Sequence, residues 1–347
     1  MSLQTEFLEF NKRIKVDYDT KSELAEKRDI LVGILRGSDE LNGFKIRNQG
    51  SYGMCTGVEP VGDKEYDIDV ALEFNCNKDD FGPLDYKKII CDILKNHTHY
   101  GAKIKKPCVT VTYMKDGEKA YHVDLVVYMY EDKDDESSQL YLAKGIEGNP
   151  DETYWEKSDP KGLIEYINDS VNKENKEQFR RIVRYFKRWK NLRFSSAGHA
   201  EPSSIGITLI VADNFTPYTN NDGYDDLNAL ISVANKMKSL FQFVGYNSDN
   251  NRPLYRIKYY LPLTLKFEMS TDLFEKMTDI QMTDFKDKLE KFVSDLEAVV
   301  SEADENEQYK KLNKIFGDDF HVPDMTVTAK YQKNYIPSSS SSGASNE

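Results

Sequence analysis

Nothing in this 347-residue chain supplies a thiolate metal centre or a disulfide framework. Its four cysteines, Cys55, Cys76, Cys91 and Cys108, form no C-x-x-C pair. His97-Thr98-His99 adds two histidines without further spaced ligands, the usual state of loop histidines. No apolar run approaches the roughly 20 residues of a membrane-spanning helix. The amphipathic start, MSLQTEFLEFNKRIK, has no signal-peptide core. A cytoplasmic protein without a membrane partner is therefore expected. Positive charge is also short: 47 Lys and Arg stand against 59 Asp and Glu, a net charge of −12. The whole molecule should repel a nucleic-acid backbone, so long DNA or RNA is not an expected partner. No internal repeat is visible. What is present, 39% apolar and 31% charged residues, suits a globular chain with two lobes and a sizeable core.

The most informative stretch runs from Gln49 to Glu73, QGSYGMCTGVEPVGDKEYDIDVALE. Gly50-Ser51 follows a short extended run, Phe44-Lys45-Ile46-Arg47, and Tyr66 to Phe74 reads as a strand. Alternation along a strand puts Asp67 and Asp69 on one face and Ile68, Val70 and Leu72 on the other. A second alternating run, Ala120 to Tyr130, sets Asp124 among Val123, Leu125, Val126 and Val127. If these strands pair, three carboxylates converge beside a Gly-Ser turn. Such a patch suits two Mg²⁺ ions (Mn²⁺ as substitute) and a nucleoside triphosphate. Phosphoryl and nucleotidyl transfer need charge neutralisation and in-line positioning, which a pair of oxygen-ligated cations provides. Gly50 lets backbone approach a phosphate and Ser51 offers a hydroxyl. Taken alone, Asp-x-Asp is more often a solvated strand face. Asp124 resists that reading, because an acid inside an apolar run costs free energy unless something pairs with it.

Around this centre the periodicities predict one long helix over 3–35, with Phe7, Phe10 and Ile14 and then Leu24, Leu31 and Ile34 on its inner side. They predict turns over 75–82, a helix over 84–96, and a single strand over 103–114. Asp116-Gly117 marks a hairpin turn before the strand of Asp124. Glu131 to Glu136 reads as a solvated acidic loop. From Ser158 helices take over, the first opened by Ser158-Asp159-Pro160. The helix over 177–193 has Phe179, Ile182, Val183, Phe186 and Trp189 as its stripe. Arg180, Arg184, Lys187 and Arg188 lie mostly off it, as on a solvated face. Pro202-Ser203-Ser204 reads as a cap and helix start. Further helices are expected over 225–243, 283–300 and 305–316, with 254–265 a short strand or packed loop.

The ordered set Gly50-Ser51, Asp67-x-Asp69, then Asp124 resembles the polymerase-β-type nucleotidyltransferase superfamily. Within it, QGSYGMCTGV and EYDIDVALEF are most similar to the bacterial CD-NTases, the cGAS/DncV-like nucleotidyltransferases. The loop from Ser51 to Asp67 is longer than in the animal members, and their zinc insertion has no counterpart. The resemblance covers about residues 40–215. It implies an α+β fold of two lobes: a catalytic lobe with a small mixed sheet over 1–157, braced by a long N-terminal helix, and a mainly helical lobe over 158–335. A Ser-rich tail, 336–347, is expected to be disordered. It also implies residue roles: Asp67, Asp69 and Asp124 as catalytic metal ligands, and Gly50, Ser51, Lys187, Ser203 and Ser204 near the nucleotide, with Arg184 a weaker match than Lys187. Tyr52 packs under a base or simply fills the loop. The implied reaction joins two or more NTPs (ATP, GTP, UTP or CTP) into a cyclic di- or trinucleotide with loss of pyrophosphate. The resemblance places it in anti-phage signalling through a downstream effector that senses the product. In some members a regulatory protein partner or processing of the C-terminal tail is involved. Two alternatives stay open on sequence: a linear nucleotidyltransferase acting on RNA, protein or a small molecule, and a catalytically silent nucleotide-binding partner.

Overall fold

A computed structural model describes residues 2–16, 18–62, 66–115, 118–195, 197–221, 223–267 and 271–323. The Asp116-Gly117 turn and the Ser-rich tail lie outside the described residues. In order the elements are α1 (Leu3–Ile14), α2 (Tyr18–Arg36), β1 (Phe44–Gln49), α3 (Gly50–Gly53), β2 (Tyr66–Asn77), α4 (Asp85–Leu94), β3 (Ala102–Ile104), β4 (Val109–Lys115), β5 (Glu118–Tyr130), β6 (Leu140–Lys144) and β7 (Tyr154–Ser158). Then come α5 (Pro160–Asp169), α6 (Lys176–Arg193), α7 (Ser204–Asn214), a short pair β8 (Thr219–Asn220) and β9 (Gly223–Tyr224), and α8 (Asp226–Ser239). A hairpin, β10 (Gln242–Tyr246) and β11 (Pro253–Arg256), leads to α9 (Asp279–Val300) and α10 (Glu305–Phe316). No helix among the described residues is long and apolar enough to cross a membrane.

The first lobe is built on one mixed seven-stranded sheet, ordered β1-β2-β5-β4-β3, with β6 added to β5 and β7 to β6. Only β2 and β5 run parallel; every other pairing is antiparallel. Alternation divides β2 and β5 as expected. Ile68, Val70, Leu72, Val123, Leu125 and Val127 are fully buried against Leu24, Leu31 and Leu35 of α2 and Ile90 and Leu94 of α4. The opposite face carries the carboxylates and a small apolar patch of Ala71, Cys108, Val126, Tyr128 and Leu142.

A second core fills the helical lobe, and it claims α1: Phe7, Phe10 and Ile14 pack among α6 to α10. The expected single helix over 3–35 is therefore two helices serving different cores. The chain leaves α1 at Lys15, which bridges to Val58, while the Ile14 carbonyl accepts from the Glu59 amide at 2.8 Å. The expected strand over 103–114 is likewise two strands. Lys105 and Cys108 close a turn on each other through backbone bonds of 2.9 and 3.3 Å, and Pro107 between them has no N–H for a ladder.

The solvated cationic face expected on 177–193 is the largest correction. Arg181, Arg184, Lys187, Arg188 and Lys190 are buried, because α6 runs through the middle of its lobe with neighbours on every side; Arg180 stays half-exposed and Arg193, at the helix end, exposed. Buried cations need partners, and these have them. Arg181 makes a two-pronged pair with Asp226 at 2.6 and 2.9 Å. Arg184 donates to Asn11 Oδ1 and to the Cys55 carbonyl, tying α6 to α1 and to the loop after α3. Arg188 meets Asp319, and Lys190 meets Glu201. Helix α9 begins earlier than expected, at Asp279, because Thr278 and Gln281 form a reciprocal capping box. The 225–243 helix ends at Ser239, and Gln242 onward turns into β10.

Candidate active site

The site starts from register. Parallel pairing of β2 with β5 sets Asp69 opposite Asp124 and Asp67 opposite His122. Carboxylate oxygens of Asp67, Asp69 and Asp124 lie within 4.8 Å of one another. On the other side, β1 pairs antiparallel with β2 so that Gln49 faces Asp69. The next residue, Gly50, turns over that carboxylate with φ +58°. A Cβ on Gly50 would sit 1.9 Å from Asp69 Oδ2, so only glycine fits the turn and the acid together.

Asp67 and Asp69 make no hydrogen bond or ion pair with any described residue. Asp124, buried, has two donors: Thr110 Oγ1 at 2.5 Å and His122 Nδ1 at 3.1 Å, both on Oδ1. The electrostatics follow. Burial, then the charges of Asp67 and Asp124, push the Asp69 carboxyl up to about 7. Burial also opposes ionisation of Asp124, but the bonds from His122 and Thr110 outweigh it and hold this group below its ordinary value. Three crowded carboxylates, two of them without a direct ion pair among the described residues and with Lys187 acting only at a distance, are a site that asks for positive charge. An all-oxygen donor set suits a hard divalent ion such as Mg²⁺, so the residues present fit the metal that the sequence implies.

Beside the acids opens a cavity of about 350 Å³ between the lobes. Gly50, Ser51, Asp67 and Asp69 line it from the sheet side, and Lys187, Lys190, Asn191, Glu201, Ser204 and Thr208 line it from α6, α7 and the segment joining them. Lys187 Nζ donates to the carbonyl and hydroxyl of Thr56 at 3.1 and 3.0 Å. Burial, and then the neighbouring charge of Lys190, bring this ammonium down to about 7, against the pull of Asp67. Lys190 spans Ser204 and Glu201, each at 2.6 Å.

Of the residues singled out from sequence, Gly50, Ser51, Asp67, Asp69, Lys187 and Ser204 line this cavity, and Asp124 completes the acidic trio. Tyr52 does not: it packs toward the sheet core and lines a separate cavity with Arg47 and Ile164. Ser203 caps α7, accepting from the Gly206 amide at 3.3 Å. Arg184 is spent on Asn11 and Cys55. Sequence reading missed Thr110, His122, Lys190, Asn191 and Glu201. Only His122 left a signal there, two places before Asp124 and so on the same strand face.

A helical lobe closing over a mixed sheet, with two acids on one strand and a third on its parallel neighbour, is the architecture of the two-lobed nucleotidyltransferase fold. Residues 44–128 match the family described as "Cyclic GMP-AMP synthase DncV-like, nucleotidyltransferase domain". That stretch holds Gly50, Ser51 and all three acids, and it is what this chain shares with the DncV-like, or CD-NTase, family. The chain is 28% identical over 201 residues to a cyclic GMP-AMP synthase of Escherichia albertii, a match covering 55% of this chain and 41% of that one. It thus spans about two-fifths of that relative's length. Among solved structures it is similar to the CD-NTase CdnG of Bradyrhizobium diazoefficiens in complex with GTP (TM-score 0.66, 14% identity, 92% and 97% of the two chains). It is also similar to the DncV cyclic AMP-GMP synthase of Vibrio cholerae in complex with a linear intermediate, pppApG (TM-score 0.61, 18% identity, 91% and 95%).

Proposed function

We propose that this protein is a cyclic-oligonucleotide synthase, joining two or more NTPs into a cyclic di- or trinucleotide with release of pyrophosphate. The observation that carries the reading is the carboxylate trio, with Asp67 and Asp69 unpaired among the described residues and Gly50 turning so close over Asp69 that a Cβ would displace its carboxylate. The similarity to a cyclic GMP-AMP synthase supports the cyclising branch, and with it the anti-phage signalling that the resemblance implies. Asp67 and Asp69 would hold two divalent cations, with Asp124 on one of them. Bound there, the cations would neutralise the triphosphate and lower the pKa of the attacking hydroxyl.

The chain's own groups then have separate tasks. Gly50 and Ser51 cradle the β- and γ-phosphates: the glycine admits them and the hydroxyl donates. Lys187, held by Thr56 at the cavity wall, adds positive charge from the helical lobe, and Ser204 faces the same space. Asp124 orients the acceptor ribose and receives its proton as the hydroxyl attacks the α-phosphate. A second attack in the same cavity closes the ring. Substrates are NTPs, with ATP and GTP the first to try.

The test is incubation of the purified protein with all four NTPs and Mg²⁺ or Mn²⁺, then phosphatase and mass spectrometry. A phosphatase-resistant product of two or three nucleotides, absent with Asp67→Asn/Asp69→Asn, is expected. Phosphatase-sensitive chains would replace this reading with linear transfer. Absence of any product with either metal, from folded protein, would count against a constitutively active synthase.

A further inference from the structure

Both hydrogen bonds to Asp124 end on one oxygen. Thr110 is the register partner of Asp124 across the antiparallel β4–β5 pair, and its hydroxyl reaches Oδ1 at 2.5 Å. His122 lies on the same face of β5, and its Nδ1 reaches the same Oδ1 at 3.1 Å. An ionised carboxylate only accepts, so the hydroxyl hydrogen of Thr110 and a proton on His122 Nδ1 must both point at Oδ1. Two donors use the two lone pairs of that oxygen. No described residue donates to Oδ2.

We propose that Thr110 and His122 are positioning residues: together they occupy Oδ1 of Asp124 and turn Oδ2 toward the cation. This role rests on the metal-dependent reading of the site given above. The argument is geometric. The terminal torsion of an aspartate is broad and roughly two-fold, so an unrestrained carboxylate exchanges its oxygens and can grip a cation with either or both. Threonine is stiff at χ1, and Thr110 is 4% exposed with Cys108 Sγ 3.5 Å from its hydroxyl. Asp124 Oδ1 is the far better acceptor for that hydroxyl than the weakly accepting thiol sulfur at 3.5 Å, and little solvent is at hand to replace it. Partners of this kind, behind a metal ligand, fix ligand orientation and typically carry 10–100-fold of the affinity (an order-of-magnitude range). Among the described residues Asp67 and Asp69 have no such partner, so the rigidity of the trio is concentrated in Asp124.

The experiment measures Mn²⁺ binding to the purified protein by the EPR signal of free Mn²⁺, without nucleotide. It compares wild type, Asp67→Asn/Asp69→Asn, Thr110→Val and Thr110→Ser, each checked for folding by circular dichroism. Thr110→Val keeps the shape and removes the donor; it should weaken Mn²⁺ binding by about 10-fold or more. Thr110→Ser keeps the donor and should stay within about threefold of wild type. In turnover assays the Thr110→Val defect should shrink at high metal concentration, which a general packing defect would not do. His122→Ala and His122→Asn repeat the comparison at a half-exposed position, the asparagine amide standing in for Nδ1–H, should Thr110→Val fail to fold. Wild type binding Mn²⁺ no tighter than the double Asn variant would remove the metal site itself, and the proposal with it. Wild type binding tightly, with Thr110→Val or His122→Ala equal to it, would overturn the positioning role alone.

Discussion

Replacing Gly50 by alanine should nearly abolish turnover while leaving the fold almost intact. The added Cβ would stand 1.9 Å from Asp69 Oδ2 and 2.9 Å from its Cγ, where a carbon–oxygen contact needs about 3.3 Å. Asp69 must therefore retreat by about 1.4 Å at the carboxylate, or the α3 turn must lift away. The obstacle is the end of a side chain rather than backbone, so the clash relieves itself at the expense of the site. Misplacement of a reacting group by about 1 Å costs on the order of 10²-fold in rate. The stability cost is smaller: alanine at φ +58° loses about 1–2 kcal/mol relative to glycine. With an unfolding entropy of about 2.1 cal/mol/K per residue, a chain of 347 residues should lose about 1–3 °C in Tm. The assay pairs pyrophosphate release from NTPs at saturating Mg²⁺ with a thermal melt of the same sample. Turnover within a few-fold of wild type would refute the claim that the glycine exists to clear Asp69. A fall of 10 °C or more would refute the claim that the damage is confined to the site.

Proton and cation should compete at Asp69. Its folded value of about 7 lies above the ordinary 3.8, so the metal-free folded state keeps a proton between those values that the unfolded chain has lost. Its contribution to stability accordingly falls as pH rises through that window, and Mn²⁺ should restore it most above pH 7. Calorimetric Mn²⁺ titration should show affinity about 5–10-fold weaker at pH 6 than at pH 8, with proton release on binding; equal affinity at both would contradict it. A third prediction concerns the bracing of α1. Asp226 is fully buried and accepts from Arg181, Gln178 and Tyr185, while its own amide donates to Gln4 of α1 at 2.8 Å. Asp226→Ala strands the Arg181 guanidinium and should cost about 3–5 kcal/mol in chemical denaturation; a cost under about 1 kcal/mol would contradict it.

What could be read from sequence was what a single element decides by itself. Alternation along β2 and β5 is a property of one strand, so the shared face of Asp67 and Asp69, and the apolar neighbours of Asp124, were legible from the residue types. Gly50-Ser51 was legible as a turn beside them, though the reason for the glycine, the carboxylate beneath it, was not. Helix stripes and caps worked in the same way for α4, α5, α7 and α10. Elsewhere the deciding partners were distant. Phe7 to Ile34 gives one helical period from end to end, and only the existence of two cores explains why it breaks at Lys15. Basic residues off the stripe of α6 looked like a solvated face because sequence shows one helix at a time. Burial came from α1, α7, α8 and α10 around it, and from Asp226, Asp319 and Glu201 placed to meet the charges. Thr110 carried no mark at all, since its role comes from the antiparallel register of β4 on β5. The acids of this site were written into local pattern; their orientation and the cavity they face came from pairings between segments far apart in the chain, where a shift of one residue reverses every side chain.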